Sequence, residues 1–446
     1  MRALRGLYLT VGVLIGVLFP FVPVVLSERG FSAPQIGIVM ALTAVGYVVG
    51  LPLWGHLGDV VLGRRRALQI AALGSAAAAL AFGVPLALPL VAAACVAYYV
   101  MQSGAGMLTD AITVNALADR ADRYGRFRLL ESASFAIAAL AAGAVYDVVG
   151  YGLSYALAAA SAVLVAVVAL STADAPRARL ADYAPARPGT AGPVGDEPVA
   201  DEPVPRGTDP AGGEWVGGGP DPHVRGGDPS ARGAARTGTE PRWRTAGGSI
   251  AVALSVAPRL VGVMAAIVLV HLGVLASFTF LPLRLMGLGS PPSVIALSST
   301  VSAVFEVPAM FAASRLVPRL GLRGLFAAGC LLYAVAFVAW IVLADPLLIV
   351  ASRVLTGFGY GALTVGIVLT VGAMLPARLQ ASGQALYGMS ASGIASIVSN
   401  LGGGFLFGAY GHAPVFAIAA VAALAAVFVA WRYFPARGEV RLGAPR

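Results

Sequence analysis

Glu306 is an acidic residue in the interior of a long apolar segment, where a carboxyl group can do chemistry that exposed carboxylates do not. If the segment is a helix, Glu306 lies about 14 residues along it, roughly 21 Å from its beginning. An unpaired carboxylate in an apolar medium costs several kcal/mol and would hold a proton instead. Glu306 is therefore a candidate for proton uptake and release. The alternative is a structural ion pair, for example with Arg315 or with a residue of a neighbouring segment.

Two further ionisable side chains lie within apolar segments. Arg353 cannot lose its charge, so it must contact water, a carboxylate or a bound anion. Contact with a ligand, an ion pair within the protein and a place in an outer vestibule all remain open for it. His271 could titrate near neutral pH, although a single His on an apolar helix is more often a hydrogen-bonded packing residue.

A compact group of charges lies at the ends of two other segments. Its members are Asp110, which we expect just past the end of its segment, and Arg126, Arg128 and Glu131. Their opposite signs predict an ion-pair latch that opens and closes with a change of conformation. Asp110 and Glu131 are also the next candidates for proton exchange after Glu306.

The elements that must position these side chains are apolar segments long enough to span a membrane. Of the 446 residues, 58% are hydrophobic and 11% charged, against about 25% charged residues in soluble domains. Segments of about 20 apolar residues cross ~30 Å of hydrocarbon as helices and are far longer than the strands of membrane barrels. This composition excludes a soluble globular protein. It predicts an all-α membrane protein with twelve transmembrane helices in two six-helix halves. The predicted helices cover residues 7–26, 34–54, 67–84, 88–109, 129–148, 152–171, 259–283, 292–314, 324–343, 346–374, 382–409 and 413–434.

A polar stretch divides the chain into two halves, residues 1–171 and 249–446. The linker of residues 172–248 is rich in Pro, Gly and Asp and poor in large apolar residues. Such a composition cannot build a core, so we expect this linker to be disordered. A regulatory docking segment is the alternative.

Arginine is distributed very unequally between alternate loops. One set of loops contains 17 Arg, and the other contains only Arg29 and Arg284. By the positive-inside rule, both termini and the linker lie in the cytoplasm of a multi-pass protein in the cell membrane. The first apolar segment is preceded by two Arg, as in a signal peptide. It is not followed by a cleavage site of small residues, so we expect it to remain as the first helix.

Other classes of function lack their signatures. The chain has no Lys, so it has no P-loop, and it shows neither a nucleophile elbow nor a paired Cys or His metal site. We therefore expect no enzyme activity, no cofactor and no metal. Cys95 and Cys330 lie in different halves, which argues against a disulfide. The net charge of +9 comes from Arg beside membrane helices, so we expect a monomer in the lipid bilayer and no nucleic-acid partner.

The two halves look like copies of one another. Residues 31–34 align with 289–292, Gly63 with Gly321 and Gly125 with Gly383, all at an offset of 258 residues. Copies of six spans have the same orientation and are related by an axis along the membrane normal. This arrangement suits a carrier with a central site between the halves.

The loop between the second and third helices reads GHLGDVVLGRRR over residues 55–66. It resembles the signature loop of the major facilitator superfamily in its glycines, acidic residue and basic cluster. The matching residues are Gly55, Gly58, Asp59, Gly63, Arg64 and Arg65. Gly55 and Gly58 would let the second helix approach a neighbour closely. The resemblance implies that Asp59 caps the beginning of helix eleven near Ser382 and holds a cytoplasmic gate shut.

Three other segments are similar to the branch of that superfamily with lactose-permease-like and phenylpropionate-permease-like proton symporters. They are residues 124–129 (YGRFRL), 306–308 (EVP) and 384–388 (QALYG). Glu131 stands where that branch usually has a small residue, and residues 353–359 also depart from it.

The resemblance implies a central cavity lined by helices one, four, seven and ten. The implied cavity residues are Tyr98, Tyr99, Gln102, Phe278, Tyr360 and Thr364. Arg353 and His271 are further candidates for the substrate cavity because of their ionisable side chains. Aromatic and sparse polar side chains suit a small amphipathic organic solute. The serines of helix eleven, from Ser382 to Ser399, are interpreted instead as a close-packing face.

Together, the sequence predicts a secondary active transporter that moves a small organic solute by alternating access and is coupled to protons. One alternative is a drug or sugar exporter of the same fold. Another is a membrane sensor or assembly protein that no longer transports, with the long linker as its interaction element.

Overall fold

The computed structural model describes residues 1–85, 87–117, 124–172, 246–376 and 379–437. The predicted linker lies almost wholly outside these residues, and so do some of the arginines used to predict the topology, namely Arg120, Arg123, Arg378, Arg441 and Arg446. The described chain is built of helices, which confirms the all-α class.

In the described part of the N-terminal half there are six apolar helical spans. In chain order its elements are α1 (Arg2–Gly16), a 3-10 turn (Phe19–Phe21), α2 (Val22–Glu28), α3 (Ala33–His56), a π-helical turn (Leu57–Val61), α4 (Arg64–Gly83), α5 (Leu88–Leu117), α6 (Tyr124–Val149), a 3-10 turn (Tyr151–Leu153) and α7 (Ser154–Ala169). The first span therefore contains α1, the 3-10 turn and α2, with its break in the apolar interior.

The C-terminal half begins with a short helix that the sequence pattern did not predict. Its elements are α8 (Ala246–Val256), α9 (Arg259–Gly287), α10 (Pro292–Val342), α11 (Pro346–Met374), α12 (Gln380–Gly388), a π-helical turn (Met389–Ile394), α13 (Ala395–Tyr410) and α14 (His412–Tyr433). Because α8 begins at Ala246, its first residues lie inside the range predicted as linker.

Helix α10 is too long to be one membrane crossing. Its 51 residues would rise about 76 Å at 1.5 Å per residue, more than twice the ~30 Å of a hydrocarbon layer. It breaks at Gly321, whose φ of 70° is not helical. Counted with α10 as one, eleven helices in the described chain are long and apolar enough to cross a membrane. The count of twelve stays a prediction.

A glycine with a left-handed backbone conformation lies at equivalent positions of the two halves. Gly63 has φ 83° and precedes α4, while Gly321 has φ 70° and lies at the break in α10. A side chain disfavours this conformation, so a glycine is the residue expected at both positions. The backbone thus agrees with the predicted repeat at these two positions.

Two charged residues lie inside helices where the sequence pattern placed loops. Asp110 is within α5, which continues to Leu117, and its carboxylate accepts a hydrogen bond of 2.6 Å from the Tyr8 hydroxyl. Arg284 is within α9, 6% exposed, and donates to the carbonyl oxygen of Leu343. The predicted helix ends were wrong here because a charge does not end a helix when the fold supplies a hydrogen-bonding partner.

We call the end of the bundle where the loops have few Arg the Arg-poor end. There, glycines bring α3 and α13, one helix from each half, into close contact. A Cβ atom on Gly37 would overlap the carbonyl oxygen of Asn400, and one on Gly404 would lie 2.8 Å from the carbonyl oxygen of Ala33. Small residues allow such backbone contact in membrane helices.

A second contact between the halves, also at the Arg-poor end, joins α6 to the beginning of α10. A Cβ atom on Gly143 would lie 2.9 Å from the Cα of Ser293. The Asp147 carboxylate accepts a hydrogen bond of 2.9 Å from the backbone N–H of Ser293, near the beginning of α10. A carboxylate at a helix N-terminus is stabilised by the unpaired N–H groups there. These two contacts seal the Arg-poor end between the halves.

Candidate functional site

Glu306 is held in place by close packing of α10 on α11. A Cβ atom on Gly357 would lie 2.8 Å from the Cβ of Phe305, and one on Gly361 would lie 2.9 Å from the carbonyl oxygen of Glu306. Glycines four residues apart face the same side of α11, so they form one groove for this part of α10. The side chain of Glu306 makes neither a hydrogen bond nor an ion pair with any residue that the structure describes. It lines a cavity instead.

This cavity, the charged compartment, has a volume of about 240 Å³ and is lined by residues of both halves. Its charged lining residues are Arg128, Glu131, Glu306 and Arg353, and its other polar ones are Ser132, Ser299, Ser302, Tyr333 and Tyr360. Two acids and two arginines therefore share one small space between the halves.

Arg128 connects the charged compartment to the end of the bundle where the loops are rich in Arg, the Arg-rich end. Its Nη1 lies 2.9 Å from Glu131 Oε2 and 3.7 Å from Asp110 Oδ2. Asp110 in turn accepts the hydrogen bond from Tyr8. Of the group predicted from sequence, the structure brings Asp110, Arg128 and Glu131 together. Tyr8, Asp110, Arg128 and Glu131 all belong to the N-terminal half.

Arg353 is 3% exposed and belongs to the charged compartment. Its guanidinium lies 5.5 Å from the centre of the Trp340 ring, and its Nε donates to the carbonyl oxygen of Ser298 at 3.2 Å. Its Nη1 is buried and has no hydrogen-bond partner among the described residues. A buried cation with a free donor beside a cavity can donate a hydrogen bond to an anionic or carbonyl oxygen there.

A second cavity, the charge-free compartment, has a volume of about 270 Å³ and is also lined by both halves. None of its lining residues is charged. The polar ones are Thr43, Tyr47, Tyr99, Gln102, Thr279, Ser392, Ser396 and Asn400. Ser392 and Ser396 line this cavity, so the interpretation of the helix-eleven serines as a packing face was wrong for these two.

Asn400 organises one wall of the charge-free compartment. Its Oδ1 accepts a hydrogen bond of 2.7 Å from the Thr279 hydroxyl, and its Nδ2 donates to the carbonyl and hydroxyl oxygens of Ser396 at 2.9 and 3.1 Å. The sequence reasoning missed Asn400 and Thr279. An amide within an apolar helix was the available signal, because such a group must find a partner.

The other predicted cavity residues divide into two groups. Gln102 and Phe278 line the charge-free compartment and Tyr360 lines the charged one. Tyr98, His271 and Thr364 line neither. Tyr98 is 4% exposed and packs edge-on against Tyr99 at 5.6 Å, and it is Tyr99 that lines the cavity. Neighbouring side chains on a helix point about 100° apart, so only one of the two faces the cavity.

His271 is a packing residue in this structure. It is 5% exposed, and its Nδ1 is hydrogen-bonded to the carbonyl oxygen of Ile267 at 2.8 Å, one turn back along α9. Its ring faces that of Tyr387 at 6.2 Å. The prediction that His271 lines the cavity was wrong because the fold satisfies this side chain within the helix bundle.

The signature loop is tied to α5. Asp59 Oδ1 lies 2.7 Å from Arg64 Nε, and Arg64 Nη1 donates to the carbonyl oxygen of Ala111 at 2.9 Å. A Cβ atom on Gly58 would lie 2.6 Å from Leu108, but one on Gly55 would be 4.0 Å from its nearest neighbour. The predicted close approach therefore holds at Gly58 and not at Gly55.

The rest of the loop continues into α4. Gly63 is its left-handed residue, and Arg65 lies in the first turn of α4, partly buried. The contact of Asp59 with the beginning of helix eleven stays a prediction.

Fold and cavities together define a multi-pass helical membrane protein with an internal site between two sets of helices. A family model described as the MFS_1 like family matches residues 1–418, so the chain belongs to that family. This result confirms the assignment to the major facilitator superfamily.

Individual relatives agree with the family. The chain is 26% identical over 422 residues to the maltose permease of Geobacillus stearothermophilus, covering 93% of this chain and 89% of the permease. Among solved structures it is similar to the nucleoside transporter NupG, with a TM-score of 0.72 at 13% identity, covering 97% of this chain and 98% of that one. It is also similar to a D-xylose-proton symporter, with a TM-score of 0.61 at 17% identity, covering 99% and 98% of the two chains. The chain is a secondary active transporter of a small molecule, and its family and neighbours are transporters rather than enzymes.

Proposed function

We propose that this chain is a proton-coupled transporter of a small organic solute in the cell membrane, with both termini in the cytoplasm and twelve transmembrane helices. The halves are residues 1–171 and 249–446, joined by the cytoplasmic linker, and α10 supplies two of the crossings. The unequal distribution of Arg between the loops supports this orientation.

With this orientation, the Arg-poor end faces outward. The contacts of α3 with α13 and of α6 with α10 close the cavity on that side. We assign the structure to the inward-facing state of an alternating-access cycle. Transport would require these glycine-mediated contacts to separate so that the cavity opens outward.

The single observation that carries the proposal of proton coupling is the environment of Glu306. It lines a cavity shared by both halves, and no described residue pairs with it. A carboxyl group without a counter-ion gains a proton when water leaves its cavity, because an unpaired charge in a low-dielectric site costs several kcal/mol. Arg128 and Glu131 on the opposite wall belong to the other half, so the charge that Glu306 faces changes as the halves move.

The names of the similar proteins support an organic solute, since they include a maltose permease, a nucleoside transporter and a D-xylose-proton symporter. We propose that the solute is taken up by symport with protons. Export is the alternative, because the same alternating-access cycle can run in the reverse direction.

Uptake into proteoliposomes tests this function. Purified protein is reconstituted, an inward proton gradient is imposed, and labelled sugars, nucleosides, aromatic acids and drugs are tested in turn against protein-free liposomes. We expect one class to accumulate and a protonophore to abolish the accumulation. If a folded, monodisperse protein transports none of these solutes, the proposal of transport is contradicted. If accumulation does not depend on the proton gradient, the proposal of proton coupling is contradicted.

A further inference from the structure

The internal site is divided into two compartments by a pair of aromatic rings. Three residues line both the charge-free and the charged compartment, namely Ile15, Phe19 and Phe278. The Phe19 and Phe278 rings meet edge to face, with their centres 5.8 Å apart. This geometry is a favourable contact between aromatic rings. We call these two residues the aromatic partition.

The partition is positioned by one irregular and one regular element. Phe19 begins the 3-10 turn in the first span, directly after Leu18, which has the non-helical values φ −126° and ψ −44°. Phe278 belongs to the continuous helix α9 of the other half. One ring of the partition therefore belongs to each half, so a movement of the halves must change the contact between the rings.

The charge-free compartment offers hydrogen bonds but no counter-charge. Asn400, Thr279 and Ser396 form a connected set of amide and hydroxyl groups on one wall. On another wall, Tyr99 is 8% exposed, and its hydroxyl has no hydrogen-bond partner among the described residues. A buried hydroxyl without a partner is unusual in native proteins, so this group can still form a hydrogen bond with a donor or acceptor that reaches it.

The two compartments differ in the ligand that each can hold. An ion in the charge-free compartment would lose its hydration without gaining an opposite charge, whereas an uncharged solute would find donors and acceptors. In the charged compartment Arg128 is paired with Glu131, whereas Arg353 has a free Nη1 and would attract an anion that reached it while Glu306 holds a proton.

We propose that the transported solute is an uncharged, hydrogen-bonding molecule bound in the charge-free compartment, and that the Phe19–Phe278 pair excludes it from the charged compartment. The partition thereby determines specificity, because it separates the solute from Arg353, which would otherwise select an anion. This inference rests on the proposed transport function. The volume of the charge-free compartment, about 270 Å³, lies just below the usual range of about 300–1,000 Å³ for ligand pockets, which favours a small solute.

Counterflow in proteoliposomes tests the partition. The labelled solute is one that the wild-type protein transports, tested first among D-xylose, glucose and uridine. Its uptake is measured in the presence of two competitors, the same solute without label and an anionic analogue. The analogue is glucuronate for the sugars and uridine monophosphate for uridine. For wild-type protein we expect the analogue to compete at least tenfold more weakly than the neutral solute.

Substitutions then separate the two compartments. We expect Phe278→Ala to join them and to strengthen competition by the anionic analogue at least fivefold. Phe407→Ala is the matched control, because Phe407 stacks on Phe280 at 5.6 Å and lines neither compartment, and it should behave like wild type. If Phe278→Ala does not fold, Phe278→Leu and Phe19→Leu replace it. Asn400→Leu should raise the half-saturating concentration of the neutral solute at least tenfold.

Three results would overturn the inference. They are a transported solute that is itself an anion, equal competition by the neutral and anionic compounds in wild-type protein, and the same selectivity in the partition variants as in Phe407→Ala. A failure of the inference is distinguishable from a failure of the proposed function. In the first case the wild-type protein transports a solute with the wrong selectivity, and in the second it transports none.

Discussion

Replacing Gly404 by Ala should shift the protein from the inward-facing toward the outward-facing state. The added Cβ would lie 2.8 Å from the carbonyl oxygen of Ala33 and 3.1 Å from the Cα of Gly37. Since carbon atoms pack at about 3.5–4.0 Å, α3 and α13 must separate by roughly 0.5 Å. Inserting one carbon into a packed contact costs about 1–3 kcal/mol.

This cost applies only while α3 and α13 are in contact, which is the state with a closed Arg-poor end. Since 1.4 kcal/mol is a factor of ten, the outward-facing population should rise about 5- to 150-fold. Gly402→Ala is the matched control, because no atom lies within 4 Å of a Cβ there. Both substitutions are in α13, so the gain in helix propensity of about 1 kcal/mol is common to both.

Labelling of an introduced cysteine measures the shift. Thr43 is 2% exposed and lines the charge-free compartment, so Thr43→Cys should react with an impermeant maleimide added outside only when the Arg-poor end is open. The native Cys95 and Cys330 are buried, which keeps the background low. We expect faster labelling with Gly404→Ala than with Gly402→Ala. Equal rates would refute the claim that this contact closes the outer side.

Three further predictions follow from the orientation, the signature loop and the charge network. A reporter that is active only in the cytoplasm should work when fused at Gly212 and at the C-terminus and fail near Pro291; activity in the opposite compartment at any of these sites would disprove the topology. Asp59→Asn should raise labelling of the cytoplasmic mouth by up to about fivefold, because it removes the contact, worth about 0.3–1 kcal/mol, that we expect Asp59 to make with the beginning of helix eleven when the cytoplasmic gate is shut; unchanged labelling would leave this loop with a topological role alone. Tyr8→Phe keeps the ring but removes the hydrogen bond to the partly exposed Asp110. It should lower the free energy of unfolding in detergent by about 1 kcal/mol, and unchanged stability would show that water replaces this bond without loss.

The membrane spans were predictable because they depend on the local density of apolar residues. The prediction of residues 346–374 as one helix agrees with α11 at both ends. The left-handed glycines Gly63 and Gly321 were predictable as equivalent positions, since a conformation that requires glycine leaves a mark in the sequence.

The direction in which each side chain points was less predictable. Tyr98 and Tyr99 are equivalent by composition, and only the position of the neighbouring helices decides which of them faces the cavity. The sequence pattern placed Asp110 beyond the end of its helix because a charge in an apolar helix needs a partner. Its partner is Tyr8, more than 100 positions away in the sequence. Charges in membrane helices are satisfied by such distant partners, which a single sequence does not reveal.

The division of the site had no local signal at all. The aromatic partition joins Phe19 to Phe278, from the two halves of the chain, and either residue alone is typical of a membrane helix. The network around Asn400 could have been suspected from its amide, but its partners could not. Sequence reasoning therefore identified the candidate acids and placed Glu306 and Glu131 in helices, whereas the helical position of Asp110 and the arrangement of the compartments required the structure.

The most direct test of proton coupling compares two kinds of transport by the Glu306→Gln variant. Glutamine mimics the protonated acid, and since no described residue pairs with Glu306, the folded yield should stay normal. Exchange of solute across the membrane needs no net release of protons and should continue at close to the wild-type rate, while accumulation driven by a proton gradient should be lost. Normal yield together with normal gradient-driven accumulation would contradict the account and would move the coupling site to Glu131 or Asp110.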